Sequence, residues 1–173
     1  MPPEIETARL RLYPPCVEDF EARLAMDRDP RVMRYIRPIP DDEAAHRAEM
    51  RATILGTQPP GGAMWHVAHK DRPGFLGWCG LMPLEDSGLI EIGYRYIPAA
   101  WSRGIATEAA QAVLSHGFRV LRIDMIVAVT DPDNRASHGV LRKIGLAPAG
   151  QAYHYGRDLP FFRLSRADYM AGR

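Results

Sequence analysis

The chain has 173 residues and is 46% hydrophobic, enough for one apolar core without disulfide or metal support. Its 22 basic and 21 acidic residues give a formal charge of +1 and form no block of one sign, which argues against nucleic acid or a membrane surface as a partner. No apolar run of about 18 residues and no signal-peptide pattern occurs, so we expect one cytoplasmic domain over residues 1–173.

The first third of the chain predicts one strand and two helices. Alternating polar and apolar residues over Thr7–Leu12 stop at two prolines, which predicts a strand near a sheet edge. Residues Val17–Asp27 predict an amphipathic helix with Arg23 on its polar side. Three acidic residues then favour the start of a second helix over residues 44–55. A loop rich in proline and glycine follows at residues 58–62.

The rest of the chain predicts six strands and two helices. Short turns separate the first three strands, which indicates an antiparallel meander, and the strand that follows the first helix indicates a parallel crossover. The predicted strands are 63–69, 75–82, 89–97, 124–130, 146–154 and 159–164, and the predicted helices are 104–120 and 135–144. We therefore predict an α/β (α+β) fold, with a mixed, mostly antiparallel sheet of about seven strands and about four helices.

Cysteine and histidine positions do not predict a metal site. Cys16 and Cys79 are far apart in the sequence and form no C-x-x-C pair, so we interpret both as thiols. His66 and His69 are three residues apart on a predicted strand and therefore point to opposite faces of the sheet. We predict that the protein uses no metal.

The segment from Ile90 to Phe118 predicts a strand, a short loop and a helix that begins after Gly104. The first turn of such a helix has about four N–H groups without intrahelical partners, and its dipole favours an anion such as a phosphate. Glycine at this position keeps a side chain from holding an anion away from the backbone. An ordinary strand–helix corner explains the same pattern, and both interpretations are open.

Four motifs occur along nearly the whole chain in a specific order. They are Thr7-Ala8-Arg9-Leu10-Arg11-Leu12, Glu91-Ile92-Gly93-Tyr94, Trp101-Ser102-Arg103-Gly104-Ile105-Ala106-Thr107-Glu108-Ala109, and Asn134-Arg135-Ala136-Ser137 with Lys143-Ile144-Gly145-Leu146. Together they resemble the GNAT superfamily of acyl-CoA-dependent N-acetyltransferases, and within it the RimJ/RimL-like branch of ribosomal-protein alanine N-acetyltransferases. Trp101 stands where that family usually has Gln or Arg, which leaves Arg103 as the cationic side chain of the loop.

The resemblance implies a single N-acetyltransferase domain with splayed central strands and acetyl-CoA as co-substrate. It places the pantetheine arm along the central strand, where Tyr96 and Ile97 would offer free backbone groups, and near Asn134, which also fits a helix cap. The implied contacts of the coenzyme A diphosphate are the backbone groups of Arg103, Gly104, Ile105, Ala106 and Thr107.

The implied reaction is direct attack of a primary amine on acetyl-CoA in a ternary complex. Glu91 is the candidate general base, acting through water, and the alternative for it is a salt bridge with Arg95 on the same strand. Ser137 is the candidate that protonates the leaving thiolate, and the alternative is a residue that makes only local helix bonds. Other candidate bases, which spacing does not rank, are Tyr153, His154 and Tyr155.

The acceptor is predicted only as a protein N-terminal α-amine or a small-molecule amine. Reaching the neutral form at pH 7 costs about 1 kcal/mol for an α-amine and about 4.6 kcal/mol for a lysine-like amine, so a weakly placed base suffices for the former. A non-catalytic acyl-CoA-binding or regulatory module on the same fold is the alternative function. A homodimer is left open. The residues expected near the acceptor are Arg31, Tyr35, Trp65 and Tyr155.

Overall fold

The computed structural model describes residues 1–56 and 62–172, which form one eight-stranded sheet and six α-helices. The strands are β1 (Ile5–Glu6), β2 (Leu10–Tyr13), β3 (Ala63–His69), β4 (Gly77–Pro83), β5 (Ile90–Tyr96), β6 (Met125–Val129), β7 (Ala147–His154) and β8 (Arg157–Ser165). The helices are α1 (Phe20–Asp27), α2 (Pro30–Met33), α3 (Glu43–Leu55), α4 (Ile105–Arg119), α5 (Arg135–Lys143) and α6 (Arg166–Met170). The loop predicted at 58–62 lies, apart from Gly62, outside the described residues.

The strand order is β1-β2-β3-β4-β5-β6-β8-β7, and every pairing is antiparallel except that of β5 with β6. This parallel pair is short, because only Ile90 and Glu91 of β5 are in register with Ile126 and Val127 of β6. The remaining length of β5 separates from β6. The mixed sheet, its parallel crossover and its splayed central strands are therefore as predicted.

Helix α4 packs its apolar face against the sheet. Its buried side chains include Ile105, Val113 and Phe118, and a fully buried side chain of this size stabilises the fold by roughly 1.5–3 kcal/mol. A β-carbon at Gly117 would lie 2.8 Å from side-chain atoms of Ile126. Glycine at this position therefore lets the helix approach the centre of the sheet closely, which holds the loop before α4 in a defined place.

Three short elements were not predicted. Strand β1 has only two residues, and helices α2 and α6 are single turns whose first N–H groups are capped by Asp29 and Ser165. The first predicted strand also begins later than expected, at Leu10. Thr7 instead forms a tight turn, because its N–H bonds to the Leu10 carbonyl at 2.9 Å and its hydroxyl accepts the Leu10 N–H at 2.9 Å. Periodicity does not detect such side-chain-closed turns.

Helix α1 buries a polar residue that its pattern placed on the solvent side. Arg23 is only 4% exposed, its Nη1 lies 3.3 Å from His66 Nε2, and its guanidinium lies over the ring of Trp78. The prediction for Arg23 is wrong because a helical pattern treats arginine as solvated, whereas this guanidinium has partners inside the fold. No helix in the described ranges is long and apolar enough to cross a membrane.

Candidate active site

The loop between β5 and α4 has the conformation that an anion site needs. Gly104 caps the helix with φ of 76°, the left-handed region that favours glycine. The first intrahelical bond runs from the Glu108 N–H to the Gly104 carbonyl at 3.0 Å. The preceding N–H groups of Ile105, Ala106 and Thr107 therefore have no partner within the helix, and they carry the positive end of its dipole.

An arginine from the start of the chain clamps this loop. Arg9 Nε donates to Glu108 Oε2 at 2.7 Å, and Arg9 Nη1 donates to the Arg103 carbonyl at 3.0 Å. The Arg9 N–H adds a bond to Glu108 Oε1 at 2.8 Å, and a β-carbon at Gly104 would lie 3.2 Å from Arg9 Nη2. Arg9 belongs to the first sequence motif, but nothing in its spacing connects it to a loop more than ninety residues away, so the sequence does not predict this role.

Tyr96 and Ile97, at the end of β5, were expected to offer free backbone groups, but one backbone group of each residue already has a partner in the structure. The Ile97 N–H donates to the Leu76 carbonyl at 2.9 Å, so it is engaged on the β4 side of the strand. The Tyr96 carbonyl accepts the indole N–H of Trp101 at 2.9 Å. Because backbone groups alternate sides along a strand, the Tyr96 N–H then points toward the splay. Trp101 thus ties the loop to the end of β5.

A cavity of about 1060 Å³ lies where β5 separates from β6, and it brings the candidate catalytic residues together. Glu91, Ser137 and Asn134 all line it, as do Tyr35 and Tyr155 from the expected acceptor set. Two other members of that set do not line it. Trp65 is 0% exposed within the main core, where its indole N–H donates to the Pro3 carbonyl, and Arg31 pairs with Asp29 on the surface.

Glu91 is buried in the cavity wall and accepts a hydrogen bond from the Tyr155 hydroxyl. The alternative interpretation, a salt bridge with Arg95, is wrong, because Arg95 Nη1 instead bonds to Asp27 Oδ1 at 2.5 Å. Burial raises the pKa of Glu91 from its ordinary 4.5 to about 7, and the Tyr155 hydrogen bond and nearby His154 offset only part of this effect. Glu91 can therefore both accept and release a proton near neutral pH.

The turn between β7 and β8 holds Tyr155 in place. Glu85 Oε1 accepts the Tyr155 N–H at 3.1 Å, and Glu85 Oε2 lies 2.8 Å from His154 Nδ1. Burial and the neighbouring Glu91 raise the pKa of Tyr155, so its hydroxyl stays protonated and acts as a donor. Tyr153 is 69% exposed and lies outside the cavity lining. Of the three alternative bases, Tyr155 lines the cavity, and His154, like Tyr153, is not part of the lining.

The start of α5 brings Asn134 and Ser137 to the same cavity. Asn134 Oδ1 accepts the Ser137 N–H at 3.2 Å, so its helix-capping role is present. The cap uses the amide oxygen and leaves the amide nitrogen for a carbonyl acceptor. The Tyr94 hydroxyl donates to the Ser137 backbone carbonyl at 3.4 Å, which places a second hydroxyl group at the first turn of α5.

Within the described residues, one group of side chains has ligand atoms close enough for a metal ion: Cys16, Asp19 and His66. The ligand atoms of this group already have hydrogen-bond partners. Asp19 Oδ2 lies 2.8 Å from His66 Nδ1, and it also accepts from the hydroxyl of neighbouring Tyr13 at 2.7 Å. Burial lowers the pKa of His66, which keeps the ring neutral between Asp19 and Arg23. These hydrogen bonds account for the cluster, which is not part of the cavity lining.

Comparison with known proteins identifies the family. The model of the family described as "Acetyltransferase (GNAT) domain" matches residues 9–147. YoaA of Bacillus subtilis, described as an uncharacterized N-acetyltransferase, is 32% identical over 163 residues, which cover 92% of each chain. A GNAT-family acetyltransferase from Bacillus anthracis has the same fold, with a TM-score of 0.80, 24% identity, and coverage of 95% of this chain and 99% of the other.

A spermidine N-acetyltransferase from Vibrio cholerae, solved with CoA and spermine, also shares the fold, with a TM-score of 0.77, 14% identity, and coverage of 95% and 99%. The predicted GNAT fold and the predicted enzyme class, an acyl-CoA-dependent N-acetyltransferase, are both confirmed. The chain therefore belongs to the GNAT acetyltransferase family.

Proposed function

We propose that residues 1–173 form one N-acetyltransferase domain that transfers an acetyl group from acetyl-CoA to a primary amine. The amine is a protein N-terminal α-amine or a small-molecule amine, and it attacks directly in a ternary complex. The observation that carries this proposal is Glu91, buried with a pKa of about 7 in the cavity that also contains Ser137. The RimJ/RimL-like branch, a cytoplasmic location and a homodimer are further proposals, based on the motifs.

The residues around the α4 start fit the coenzyme. Three backbone N–H groups and the helix dipole meet at a surface where Gly104 has no side chain, which suits a diphosphate. The Arg9 clamp fixes this loop before any ligand arrives. Arg103 is exposed and supplies a cationic side chain, and the Asn134 amide nitrogen suits a carbonyl of the pantetheine arm. The Vibrio cholerae neighbour, solved with CoA, supports this use of the fold.

Bound acetyl-CoA supplies the thioester carbon to which the amine adds. The new C–N bond forms as the C–S bond breaks, and the amine releases one proton while the thiolate gains one. Glu91 takes the proton from the amine, directly or through one water, and its pKa near 7 matches that task. The Ser137 hydroxyl gives a proton to the thiolate and regains one through solvent, to which Glu91 releases the proton that it took from the amine.

The acceptor amine must be neutral to react. An α-amine near pKa 7.8 is neutral in an appreciable fraction at pH 7, whereas a lysine-like amine near 10.4 is not. A carboxylate with a pKa near 7 is a weak base, so it suits the former better than the latter. We therefore place α-amines ahead of lysine-like amines as acceptors.

The experiment is to follow free CoA thiol as acetyl-CoA is mixed with the wild-type chain and a panel of amines. Thiol release that needs both protein and amine, with an acetylated product seen by mass spectrometry, supports the proposal. A non-catalytic acyl-CoA-binding module predicts tight binding of acetyl-CoA, with Glu91→Gln and Ser137→Ala leaving the trace turnover unchanged. Neither binding nor thiol release with any amine contradicts both functions.

A further inference from the structure

The charges that line the cavity limit which amine it can hold. Four arginines and two carboxylates contribute to the lining within the described ranges 1–56 and 62–172: Arg34, Arg37, Arg95, Arg157, Glu91 and Asp131. Asp131 is already engaged, because its Oδ2 accepts from Arg157 Nη1 at 2.7 Å and its Oδ1 accepts the Asp133 N–H at 2.9 Å. Glu91 is then the lining carboxylate that is not paired with a cation.

A second ammonium group would find no anionic partner on these walls. Glu91 is needed for the amine that reacts, and the other charged side chains of the described lining are guanidinium groups or the engaged Asp131. Placing an ammonium beside guanidinium groups in a partly dehydrated cavity is unfavourable, because like charges repel and lose solvation. A polyamine would therefore carry at least one positive charge that the described lining does not neutralise.

One arginine of the lining, Arg34, retains capacity for an anion. Arg34 is exposed, lies over the ring of Tyr35 with 5.1 Å between guanidinium carbon and ring centroid, and has no carboxylate within salt-bridge distance among the described residues. Arg95 uses Nη1 for Asp27 and its Nε is buried, so Arg95 is less accessible to a ligand than Arg34. Guanidinium groups bind carboxylates with two parallel hydrogen bonds where both nitrogens are available.

The walls between these charges are apolar and aromatic. They include Met33, Ile36 and Met82, together with the rings of Tyr35 and Trp78. Such walls suit a hydrocarbon or peptide-like body between the reacting amine and a terminal charge.

We propose that the acceptor carries a single amine and a carboxylate on the same molecule, that the carboxylate binds at Arg34, and that polyamines and other polycations are rejected. This inference rests on the proposed function and adds the charge class of its substrate. Its chemistry is that of an amino-acid-like or acidic peptide acceptor, in contrast to the spermine with which the Vibrio cholerae neighbour was solved.

The test compares three amidated dipeptides with the same N-terminal alanine, Ala-Glu, Ala-Gln and Ala-Lys, together with spermidine. We expect kcat/KM to fall from Ala-Glu to Ala-Gln by about tenfold or more, since one hydrogen-bonded charge pair is worth about 1.5–3 kcal/mol. Ala-Lys and spermidine are expected to be poorer still. Each compound is also titrated into CoA-saturated protein, so that an acceptor that binds without reacting still gives a result.

Arg34→Glu is expected to reverse the order of the dipeptides, lowering kcat/KM for Ala-Glu and raising it for Ala-Lys. The kcat/KM for Ala-Gln should stay close to that of the wild type. Arg72→Glu makes the same charge change on an exposed arginine outside the cavity lining and should preserve the wild-type order. Equal values for the dipeptides, a preference for spermidine or no binding of any of them overturns the inference. Failure of the proposed function is distinct, because it gives no thiol release with any amine and no binding of acetyl-CoA.

Discussion

The hydroxyl group of Tyr155, in the turn between β7 and β8, donates a hydrogen bond to the carboxylate of Glu91, the last residue of β5 in register with β6. Arg95, four residues further along β5, bonds to Asp27 instead. No cation in the described part of the chain therefore forms a salt bridge with the Glu91 carboxylate, and burial together with one neutral donor sets its pKa near 7. In the proposed reaction, this relationship lets Glu91 act as the base in the range where an α-amine also begins to lose its proton.

The pH dependence of the reaction should report Glu91. Burial raises the pKa of this carboxylate to about 7, so kcat/KM is expected to rise as pH increases through about 7 and Glu91 loses its proton. Glu91→Gln should remove the enzyme's contribution to this limb, leaving only the rise that follows the amine's own pKa near 7.8, and lower kcat by about 10²–10⁴-fold, the usual contribution of a general base. Glu18→Gln, at an exposed position outside the cavity lining, serves as the control. An unchanged profile in Glu91→Gln assigns the base elsewhere.

Removing the Tyr155 hydroxyl should move the same limb to higher pH. Its hydrogen bond stabilises the ionised carboxylate, so Tyr155→Phe is expected to raise the pKa of Glu91 by about one further pH unit. Tyr153→Phe makes the identical change on an exposed tyrosine of β7, two residues before Tyr155, and should leave the profile in place. Profiles that shift equally in the two variants would show that the contact does not control the base.

Glu91 should also lower the stability of the folded protein above neutral pH. A carboxylate whose folded pKa is raised holds a proton that the unfolded chain has lost between about pH 4.5 and 7, so stability falls as pH rises through this window. At about 1.36 kcal/mol per pH unit, the resulting decrease in the free energy of unfolding is roughly 3 kcal/mol at pH 8. Glu91→Gln should therefore raise Tm at pH 8 and change it little at pH 4. Equal effects at both pH values would contradict this sign.

Mutation can distinguish the contributions of two hydroxyl groups that lie near the start of α5, those of Ser137 and of Tyr94 from β5. If Ser137 protonates the thiolate, Ser137→Ala should lower kcat by about 10²-fold or more and leave the affinity for acetyl-CoA unchanged. Tyr94→Phe removes the hydroxyl that bonds to the Ser137 carbonyl and should have the smaller effect on kcat. The opposite ranking in single-turnover measurements assigns the proton donor to Tyr94.

Local signals were enough to predict most of the fold. Alternation of polar and apolar residues, glycine turns and helix caps indicated the sheet and the main helices, and Gly104 and Asn134 occupy the caps that their sequence context predicts. The short elements were missed because one turn, such as α2, carries too few residues to show a period.

Contacts between distant segments were the part that sequence could not supply. The Arg9 clamp on the α4 loop, the Glu85 support of Tyr155 and the burial of Arg23 each depend on side chains that meet only after folding. The same reason explains the wrong partner for Arg95. Glu91 and Arg95 have opposite charges and lie on the same face of β5, which predicted a pair, but Arg95 bonds to Asp27 of helix α1 instead.

The measurement that tests the central claim most directly is calorimetric titration of acetyl-CoA into the wild-type chain, Gly104→Glu and Gly88→Glu. Both glycines have φ near 75°, so the two substitutions cause similar backbone strain. A β-carbon at Gly88 meets nothing within 4 Å, and its turn precedes β5, whereas the start of α4 follows the other end of that strand. We predict that binding is lost in Gly104→Glu and kept in the wild type and Gly88→Glu. Equal binding by all three proteins would show that the coenzyme does not lie against the start of α4, and no binding by the wild type would contradict the proposed function as a whole.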